Sequence, residues 1–332
     1  MKQVTFLIAN GVLNPGCLFS AIEVFEKANA YHLARENRPY YEIRLAGVSL
    51  RQQIVNGAFS LQVAPLNDDD KPGLIILPSY GEQDNFAILK SREGLDWVVR
   101  QYHRGAEVAS LCTGTFLLAA TGLLEGKVCA THWQAEAYFR QLFPELDLHT
   151  NKIVTDQEGV YTAGGAVSSL NLAVYLVEKY SGREAALYCA KMLQIDIGRT
   201  SQSPFMLFDG LKDHKDDAIR AMQEFIEQHV GDRLTVDQLA MQCAMDRINF
   251  SRRFKRATQL SPADYIQRIK MEAAKRKFEC TDKNINEVMY EVGYADVKAF
   301  RNIFKRVVGI TPSEYRTKFG QAYRSAEAEI LG

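Results

Sequence analysis

Two stretches of this 332-residue chain repeat one another and decide the fold of its second half. Residues 247–265 read RINFSRRFKRATQLSPADY, and residues 297–315, fifty positions later, read VKAFRNIFKRVVGITPSEY. Two phenylalanines, a Lys-Arg pair, a proline and a tyrosine recur in register. Such self-similarity predicts one helical unit that is present twice.

Upstream of each stretch the sequence predicts a shorter helix and a tight turn. The match continues there, with Leu239 opposite Met289 and Ala244-Met245-Asp246 opposite Tyr294-Ala295-Asp296. Gly293 supplies the left-handed backbone conformation that such a corner needs, and the aspartate ending each triplet is placed to cap the next helix. A helix, a tight turn and a second helix form a helix-turn-helix. The two units are predicted at about 233–258 and 283–308.

The second helix of each unit has two distinct faces. Phe250, Phe254, Phe300 and Phe304 fall on one face of the helical wheel, which we interpret as core. Arg and Asn on the other face match the edges of guanine and adenine in the major groove, and Lys at a helix end suits phosphate. The predicted DNA contacts are Ile248, Asn249, Ser251, Arg252, Lys255 and Arg256 in the first unit, and Lys298, Arg301, Asn302, Lys305 and Arg306 in the second.

The charge distribution bears on the same question. Forty Lys and Arg balance forty Asp and Glu, and a net charge of zero by itself argues against a nucleic-acid partner. Residues 247–318, however, hold seventeen Lys or Arg against eight Asp or Glu, a local net of +9. A charged helix face is usually only solvated, but the duplication, the local charge and the corner together favour DNA binding.

The first 195 residues alternate short apolar runs with helical segments, which is typical of a parallel sheet covered on both faces. We predict a flavodoxin-like α/β domain at 1–195, a linker at 196–214, an all-α domain at 215–320 and a C-terminal tail at 321–332. No apolar run is long enough to span a bilayer and no signal peptide is evident, so we expect a cytoplasmic protein without membrane contact. The predicted strands are Val4–Ala9, Tyr41–Gly47, Leu61–Pro65, Leu74–Leu77, Val108–Leu111, Ile153–Thr155 and Val160–Ala163.

A cysteine stands at a strand-to-helix turn in the segment ASLCTGTF, residues 109–116. There the helix dipole and backbone N–H groups would lower the pKa of the Cys112 thiol, and His132 would complete a Cys–His pair. Backbone amides in the turn after Leu74–Leu77 could form an oxyanion hole or hold a ligand carboxylate. The predicted ligand pocket is lined by Cys17, Ser79, Tyr80, Gly81, Cys112, Thr113, His132 and Trp133.

The six cysteines show no regular spacing, so the sequence predicts no disulfide frame, metal site or cofactor. Cys17 is either a pocket wall or a small core residue, and His132 is either a pocket residue or a structural histidine. Cys112 is open to three interpretations, as a ligand contact, a redox-sensitive thiol or a vestigial nucleophile. The others are expected to be small buried residues: Cys129, Cys189, Cys243 and Cys280.

Two family resemblances join these observations. Residues 234–319, with I-x-x-V-x-x-x-V-G-Y at Ile285–Tyr294 and G-I-T-P-S-E-Y-R at Gly309–Arg316, closely resemble the AraC/XylS family of transcriptional regulators. The cysteine turn, the histidine spacing and Thr162-Ala163-Gly164-Gly165 resemble the PfpI-type branch of the class I glutamine-amidotransferase-like superfamily. That branch includes peptidases, deglycases and chaperones, but where it places an acid this chain has Cys17, which counts against catalysis.

The joined architecture resembles the GlxA subgroup of AraC-family regulators, in which the amidotransferase-like fold serves as a metabolite sensor. The resemblance implies a regulator, not an enzyme, that binds double-stranded promoter DNA under the control of a small-molecule effector such as an amino acid or amine. It also implies a homodimer, with RNA polymerase as a further partner. Two alternatives stay open: a Cys-dependent amidohydrolase or deglycase using Cys112 and His132, and a redox sensor based on the Cys112 thiol.

Overall fold

The computed structural model describes residues 1–9, 11–48, 51–54, 59–81 and 92–320. The chain forms two compact units, Met1–Gln202 and Ser203–Gly332, and the division between them falls inside the segment predicted as a linker. The predicted tail at 321–332 lies outside the described residues. Within the described ranges no helix is both long and apolar enough to cross a membrane.

The first unit is built on a mostly parallel sheet, which confirms the predicted fold class. Seven of the described strands form it in the order β10-β11-β7-β6-β1-β2-β5, and the β10–β11 pair at one edge is antiparallel. The strands are β1 Lys2–Ile8, β2 Tyr41–Gly47, β3 Arg51–Ile54, β4 Phe59–Gln62, β5 Ala64–Pro65, β6 Leu74–Leu77, β7 Glu107–Leu111, β8 Val128–Cys129, β9 Asp147–Leu148, β10 Val154–Gln157 and β11 Val160–Ala163.

Helices cover the sheet of the first unit. They are α1 Pro15–Glu36, α2 Arg92–His103, α3 Thr115–Ala120, α4 Glu136–Leu142, α5 Ser168–Ser181 and α6 Arg183–Met192. Helices α1, α5 and α6 pack together, while α2 and α3 pack against each other and against β7. Asn14 caps α1 by accepting a hydrogen bond from Cys17 N, and Pro15 at the first helical position is already set for the helix.

The structure differs from the sequence prediction in several places in this unit, among them the short strands β3, β8 and β9, which were not predicted. The predicted strand Leu61–Pro65 is divided, because β4 pairs with β3 in a hairpin whereas β5 joins the main sheet beside β2. Helix α6 was not predicted. It follows α5 after Gly182 alone, so no stretch of loop residues marks where one helix ends and the next begins.

The second unit is all-α, as predicted. Its helices are α7 Asp217–Gln228, α8 Val236–Gln242, α9 Arg247–Thr258, α10 Pro262–Cys280, α11 Ile285–Glu291, α12 Val297–Val308 and α13 Pro312–Phe319. Two separate apolar cores form, one around Phe250 and Phe254 and the other around Phe300 and Phe304. Helix α10 contributes its first half to one core and its second half to the other, so it joins the two helix-turn-helix units.

The repeat has a one-residue shift that the sequence comparison did not predict. From each capping aspartate onward the two copies correspond at a spacing of fifty, but the helices before the turn correspond at forty-nine. Leu239 is therefore equivalent to Val288, not to Met289, and Met245 is equivalent to Tyr294. The predicted pairing of Leu239 with Met289 was wrong, because Ala295 lengthens the second turn by one residue.

The segment predicted as a linker, 196–214, is packed within the units on either side of the division. At its first-unit end, Gln202 Nε2 donates to the carbonyl oxygens of Thr131, Thr150 and Lys152, at 2.7–3.0 Å. At its second-unit end, the Phe208 ring packs edge-on against Tyr265, with centroids 5.4 Å apart.

Candidate functional site

The second unit exposes one face of α9 and the equivalent face of α12. In both helices the phenylalanines are fully buried, and the burial pattern of the two helices agrees almost residue by residue. Of the eleven predicted DNA contacts, ten are exposed and Ser251 is half-buried. The exposed contacts are Ile248, Asn249, Arg252, Lys255, Arg256, Lys298, Arg301, Asn302, Lys305 and Arg306.

Side-chain caps fix where these two helices begin. Asp246 accepts a hydrogen bond from Asn249 N at 2.9 Å, and Asp296 accepts one from Ala299 N at 2.6 Å, so both predicted caps are confirmed. The turn before each helix contains one left-handed residue, Ala244 at φ 51° and Gly293 at φ 76°. A fixed helix start is what a DNA reader needs, because residues near the N-terminus of the recognition helix contact base edges.

Not every arginine of these helices is available to a ligand. Arg253 donates two hydrogen bonds to Asp216, at 2.6 and 2.9 Å, and so ties α9 to the start of α7. Arg252, by contrast, is exposed, and its guanidinium donates to its neighbour Asn249, at 3.3 Å. Arg306 donates to Gln267 of α10. The structure therefore separates a structural arginine, Arg253, from Arg252, which lies on the open face.

A buried lysine connects the two helix-turn-helix units. Lys270 of α10 is only 6% exposed, and its Nζ donates to the carbonyl oxygens of Val230, Asp232 and Val292 at 2.7–2.9 Å. Val230 and Asp232 precede α8 of the first helix-turn-helix, while Val292 lies in the turn of the second helix-turn-helix. Burial lowers the pKa of Lys270. This residue was missed from sequence, because a lysine within a basic helix carries no sign of its burial.

In the first unit, the sheet order brings the predicted pocket residues together. Strands β7, β6 and β1 are neighbours, so the segments after their carboxyl ends, which carry Cys112, Ser79 and Cys17, meet at one edge. Cys112 has φ 54°, a strained conformation for a residue with a side chain, and lies in a short 3-10 turn. Gly114 ends this turn because any side chain there would collide with the carbonyl oxygens of Leu77 and Pro78.

The loop after β6 is held by internal hydrogen bonds. Thr113 Oγ1 lies 2.7 Å from Ser79 Oγ and accepts from Tyr80 N at 3.2 Å, while Gly81 N donates to Val12 O at 3.0 Å. The buried Tyr80 hydroxyl accepts from Ala9 N. The oxyanion hole predicted here was wrong for Tyr80 and Gly81, because their amides are already used to join the loop to its neighbours.

Two thiols share this edge of the sheet. Cys17 and Cys112 are 1% and 4% exposed, and hydrogen bonding between them lowers the pKa of Cys17 and raises that of Cys112, which burial raises further. Ser169 and Ser79 also lower the pKa of Cys17. The prediction that Cys112 carries the lowered pKa was wrong, because the hydrogen bond between the two thiols favours the ionised form at Cys17, whereas at Cys112 the same hydrogen bond and burial disfavour it.

His132 is half-buried and serves locally as a cap. Its Nδ1 accepts a hydrogen bond from Gln134 N at 3.2 Å, and Trp133, also half-buried, stacks on its ring with centroids 5.5 Å apart. The groups with the largest effects on the pKa of Cys112 are Cys17, Ser79 and the Thr113 backbone, and His132 is not among them. The pKa of Cys112 is thus governed by its neighbours on this edge of the sheet, and the Cys–His pair stays a prediction.

The remaining predicted pocket residues and cysteines are placed as follows. Cys17, Ser79, Tyr80, Cys112 and Thr113 are buried, and Gly81 is half-buried. Cys129 and Cys189 are buried as expected, and Cys243 is half-buried. The expectation for Cys280 was wrong: it is the last residue of α10 and is exposed. Sequence reasoning also missed Ser169, whose signal was a Ser-Ser pair opening α5 directly after the Gly164-Gly165 turn.

Comparison with known proteins agrees with this arrangement. Residues 4–179, more than half of the chain, match the DJ-1/PfpI family, so the chain belongs to the DJ-1/PfpI family. Residues 239–318 match a helix-turn-helix domain. The prediction of an AraC-type DNA-binding transcription regulator with a PfpI-like sensor domain is thereby confirmed.

Three relatives illustrate the family. The HTH-type transcriptional regulator GbdR of Pseudomonas aeruginosa is 25% identical over 307 residues, which cover 90% of this chain and 80% of GbdR. The HTH-type transcriptional regulator GlxA of Rhizobium meliloti is 23% identical, over 65% of this chain and 67% of GlxA. Isonitrile hydratase of Pseudomonas putida is 27% identical, over 46% of this chain and 64% of the hydratase. The family thus includes both regulators and an enzyme.

Proposed function

We propose that the second unit binds double-stranded promoter DNA by inserting α9 and α12 into the major groove, and that a small molecule at the Cys17/Cys112 edge of the first unit controls this binding. One observation carries the proposal: the two helices present the same exposed, basic face on the same buried scaffold. Helix α10 has nineteen residues and is about 28 Å long, close to the roughly 34 Å between successive major grooves.

The DNA part of the proposal is tested by footprinting the full chain on DNA upstream of its own coding region. We expect a protected site at about 50–100 mM salt and a steep loss of affinity as salt rises, because basic side chains displace counterions from phosphate. The double variant Arg252→Ala/Asn302→Ala should lose the footprint, whereas Arg183→Ala, an exposed arginine of the first unit, should retain it. Absence of any footprint with the wild-type protein would exclude this target.

The effector part is tested by a thermal-shift screen of the full chain against amino acids and amines. Both tryptophans, Trp97 and Trp133, belong to the first unit, so their fluorescence follows unfolding of the sensor. A ligand that binds only the folded state raises the melting temperature. We expect a rise that Cys112→Ser reduces and Cys280→Ser leaves unchanged. If no compound of either class shifts the transition, the effector belongs to another class and this part of the proposal fails.

We further propose that the first unit is not a catalyst. The raised pKa of Cys112, the engagement of His132 Nδ1 as a cap and the use of the Tyr80 and Gly81 amides within the fold all disfavour nucleophilic catalysis. Incubation with amides, glycated thiols and an isonitrile should give no turnover above that of Cys112→Ala. Turnover that Cys112→Ala abolishes would instead support the enzyme alternative.

The assembly and location of the protein are part of the same proposal. We propose that the protein binds promoter DNA in the cytoplasm, as a homodimer that also contacts RNA polymerase. Sedimentation of the full chain should give twice the monomer mass, and the mass should stay constant over a hundredfold dilution. A monomer that binds DNA with a single footprint would remove dimerisation from the proposal.

The hydrogen bond between the Cys17 and Cys112 thiols, which lowers the pKa of Cys17, favours a second function, thiol-based redox sensing. A hydroperoxide would oxidise the Cys17 thiolate to a sulfenic acid, and the Cys112 thiol would then displace water to form a disulfide. We expect peroxide to lower the mass by two hydrogens and to change DNA affinity in the wild type but not in Cys17→Ser. If neither changes in the wild type, redox sensing is excluded.

A further inference from the structure

The strongest unexplained feature of the DNA face is an apolar side chain, Ile248, which is 80% exposed. It is the second residue of α9, between Arg247 and Asn249, on a helix whose other apolar residues turn inward. A single exposed isoleucine on a protein surface needs no explanation. This one lies among the polar and basic side chains that face DNA, so its chemistry can be matched to what the groove presents.

Ile248 and Arg252 lie on the same face of α9. The two residues are four positions apart and therefore neighbours on one face of α9. The cap formed by Asp246 fixes the first turn, and Arg252 Nη2 donates to Asn249 Oδ1 at 3.3 Å, which holds the arginine over the same face. When the N-terminal part of the helix enters the major groove, Ile248 and Arg252 reach base edges together.

The major groove offers one apolar group to such a side chain, the C5-methyl group of thymine. We propose that Ile248 reads a thymine methyl group, and that this thymine lies within about two base pairs of a guanine bound by Arg252, since one helical turn of 5.4 Å spans about two 3.4 Å base steps. The inference rests on the proposed DNA binding and adds the base chemistry that the first helix-turn-helix unit recognises.

The second helix-turn-helix supplies an internal contrast. Fifty residues on, the position equivalent to Ile248 holds Lys298, which is also exposed. A lysine ammonium group binds phosphate or the acceptor atoms of guanine, and a methyl group offers it no hydrogen bond. The dependence on the thymine methyl is therefore expected in the half of the site bound by α9, and Lys298 should not contribute to it. The two halves of the binding site are predicted to differ in sequence.

The experiment compares thymine with deoxyuridine, which lacks only the methyl group. Duplexes are first selected from a random library with the full-length protein, and each thymine of the enriched sequence is then replaced singly by deoxyuridine. At one position near the guanine, we expect affinity to fall about three- to fivefold, the effect of losing one buried methyl group. Replacing that thymine by cytosine should cost more, and 5-methylcytosine should recover part of the loss.

Three protein variants decide which side chain is responsible. Ile248→Ala should bind the thymine and deoxyuridine duplexes equally, Ile248→Val should keep most of the difference, and Lys298→Ala should keep all of it. An enriched sequence with no deoxyuridine-sensitive position near the guanine overturns the inference, as does a difference that survives in Ile248→Ala. Failure of the wild-type protein to enrich any sequence would instead contradict the proposed function itself.

Discussion

The two helix-turn-helix units place different side chains on one scaffold. Their cores use equivalent phenylalanines and a matching tyrosine, and both recognition helices begin at an aspartate cap. Their exposed faces carry different chemistry, with Ile248 against Lys298 and Arg252 against Asn302, and the turn of the second helix-turn-helix has one extra residue. The comparison teaches that packing fixes how the helices are held, while solvent-facing positions are free to specify what each helix binds.

The largest effect is expected from removing the buried amine that links the two units. Lys270→Met should destabilise the second unit by about 3 kcal/mol, because three backbone carbonyl oxygens lose their donor. Unfolding by urea, followed by far-ultraviolet circular dichroism, should show the loss, while tryptophan fluorescence from the first unit should not change. Lys298→Met, at an exposed lysine, is the control. Equal stability of the two variants would show that the Lys270 hydrogen bonds do not hold the units together.

The turns give the next largest contrast. Gly293→Ala should destabilise by about 2 kcal/mol, since φ is 76° and the added Cβ would lie 2.5 Å from Gly231 O and 2.6 Å from Lys270 Nζ. The reverse change at the equivalent position of the first helix-turn-helix, Ala244→Gly, removes the strain of a left-handed alanine. It should leave stability within about 1 kcal/mol of wild type or raise it. Thermal unfolding of both variants tests the contrast, which fails if both changes act in the same direction.

The exposed faces should separate base reading from phosphate binding. Arg252→Ala and Asn302→Ala should each weaken binding to the preferred duplex by about 1–3 kcal/mol and relax base preference. Lys305→Ala should weaken binding to all duplexes alike and reduce the salt dependence. Titrations of specific and random duplexes distinguish these outcomes. An equal loss on both duplexes for Arg252→Ala would remove its role in reading bases.

The smallest effect concerns the ion pair that sets the first recognition helix against α7. Hydrogen bonds from Arg253 lower the pKa of Asp216, so the pair stabilises the fold fully above the ordinary aspartate pKa of about 4 and loses this effect as pH falls through the lowered folded-state value. Asp216→Asn keeps the helix cap but removes the charge, and should cost about 1 kcal/mol at neutral pH because solvent screens part of the pair. Urea unfolding over a pH series should show the difference from wild type shrinking in acid. A constant difference would mean that the charge of Asp216 is irrelevant.

The site in the first unit was harder to predict than the exposed faces of α9 and α12. Cys17, Ser79, Cys112 and Thr113, which were named from sequence, do gather at one edge of the sheet, because the carboxyl ends of parallel strands meet there. Their roles could not be predicted, because the sequence does not show which amides, hydroxyls and imidazole nitrogens are already hydrogen-bonded within the fold. The lowered pKa of the Cys17 thiol could not be predicted either, because it depends chiefly on the hydrogen bond with Cys112, a residue distant in sequence.

Sequence patterns were enough to predict the class of each unit, the duplication, the two aspartate caps and the exposed faces, because these follow from local periodicity and from residues close together in the chain. Tertiary structure decided the rest. It shows the one-residue shift between the copies, the ion pair of Arg253 beside an exposed Arg252, and the burial of Lys270 among three carbonyl oxygens. It also shows that Cys17, and not Cys112, has the lowered pKa. Each of these depends on contacts between residues distant in sequence, and burial and hydrogen-bond partners exist only once those contacts form.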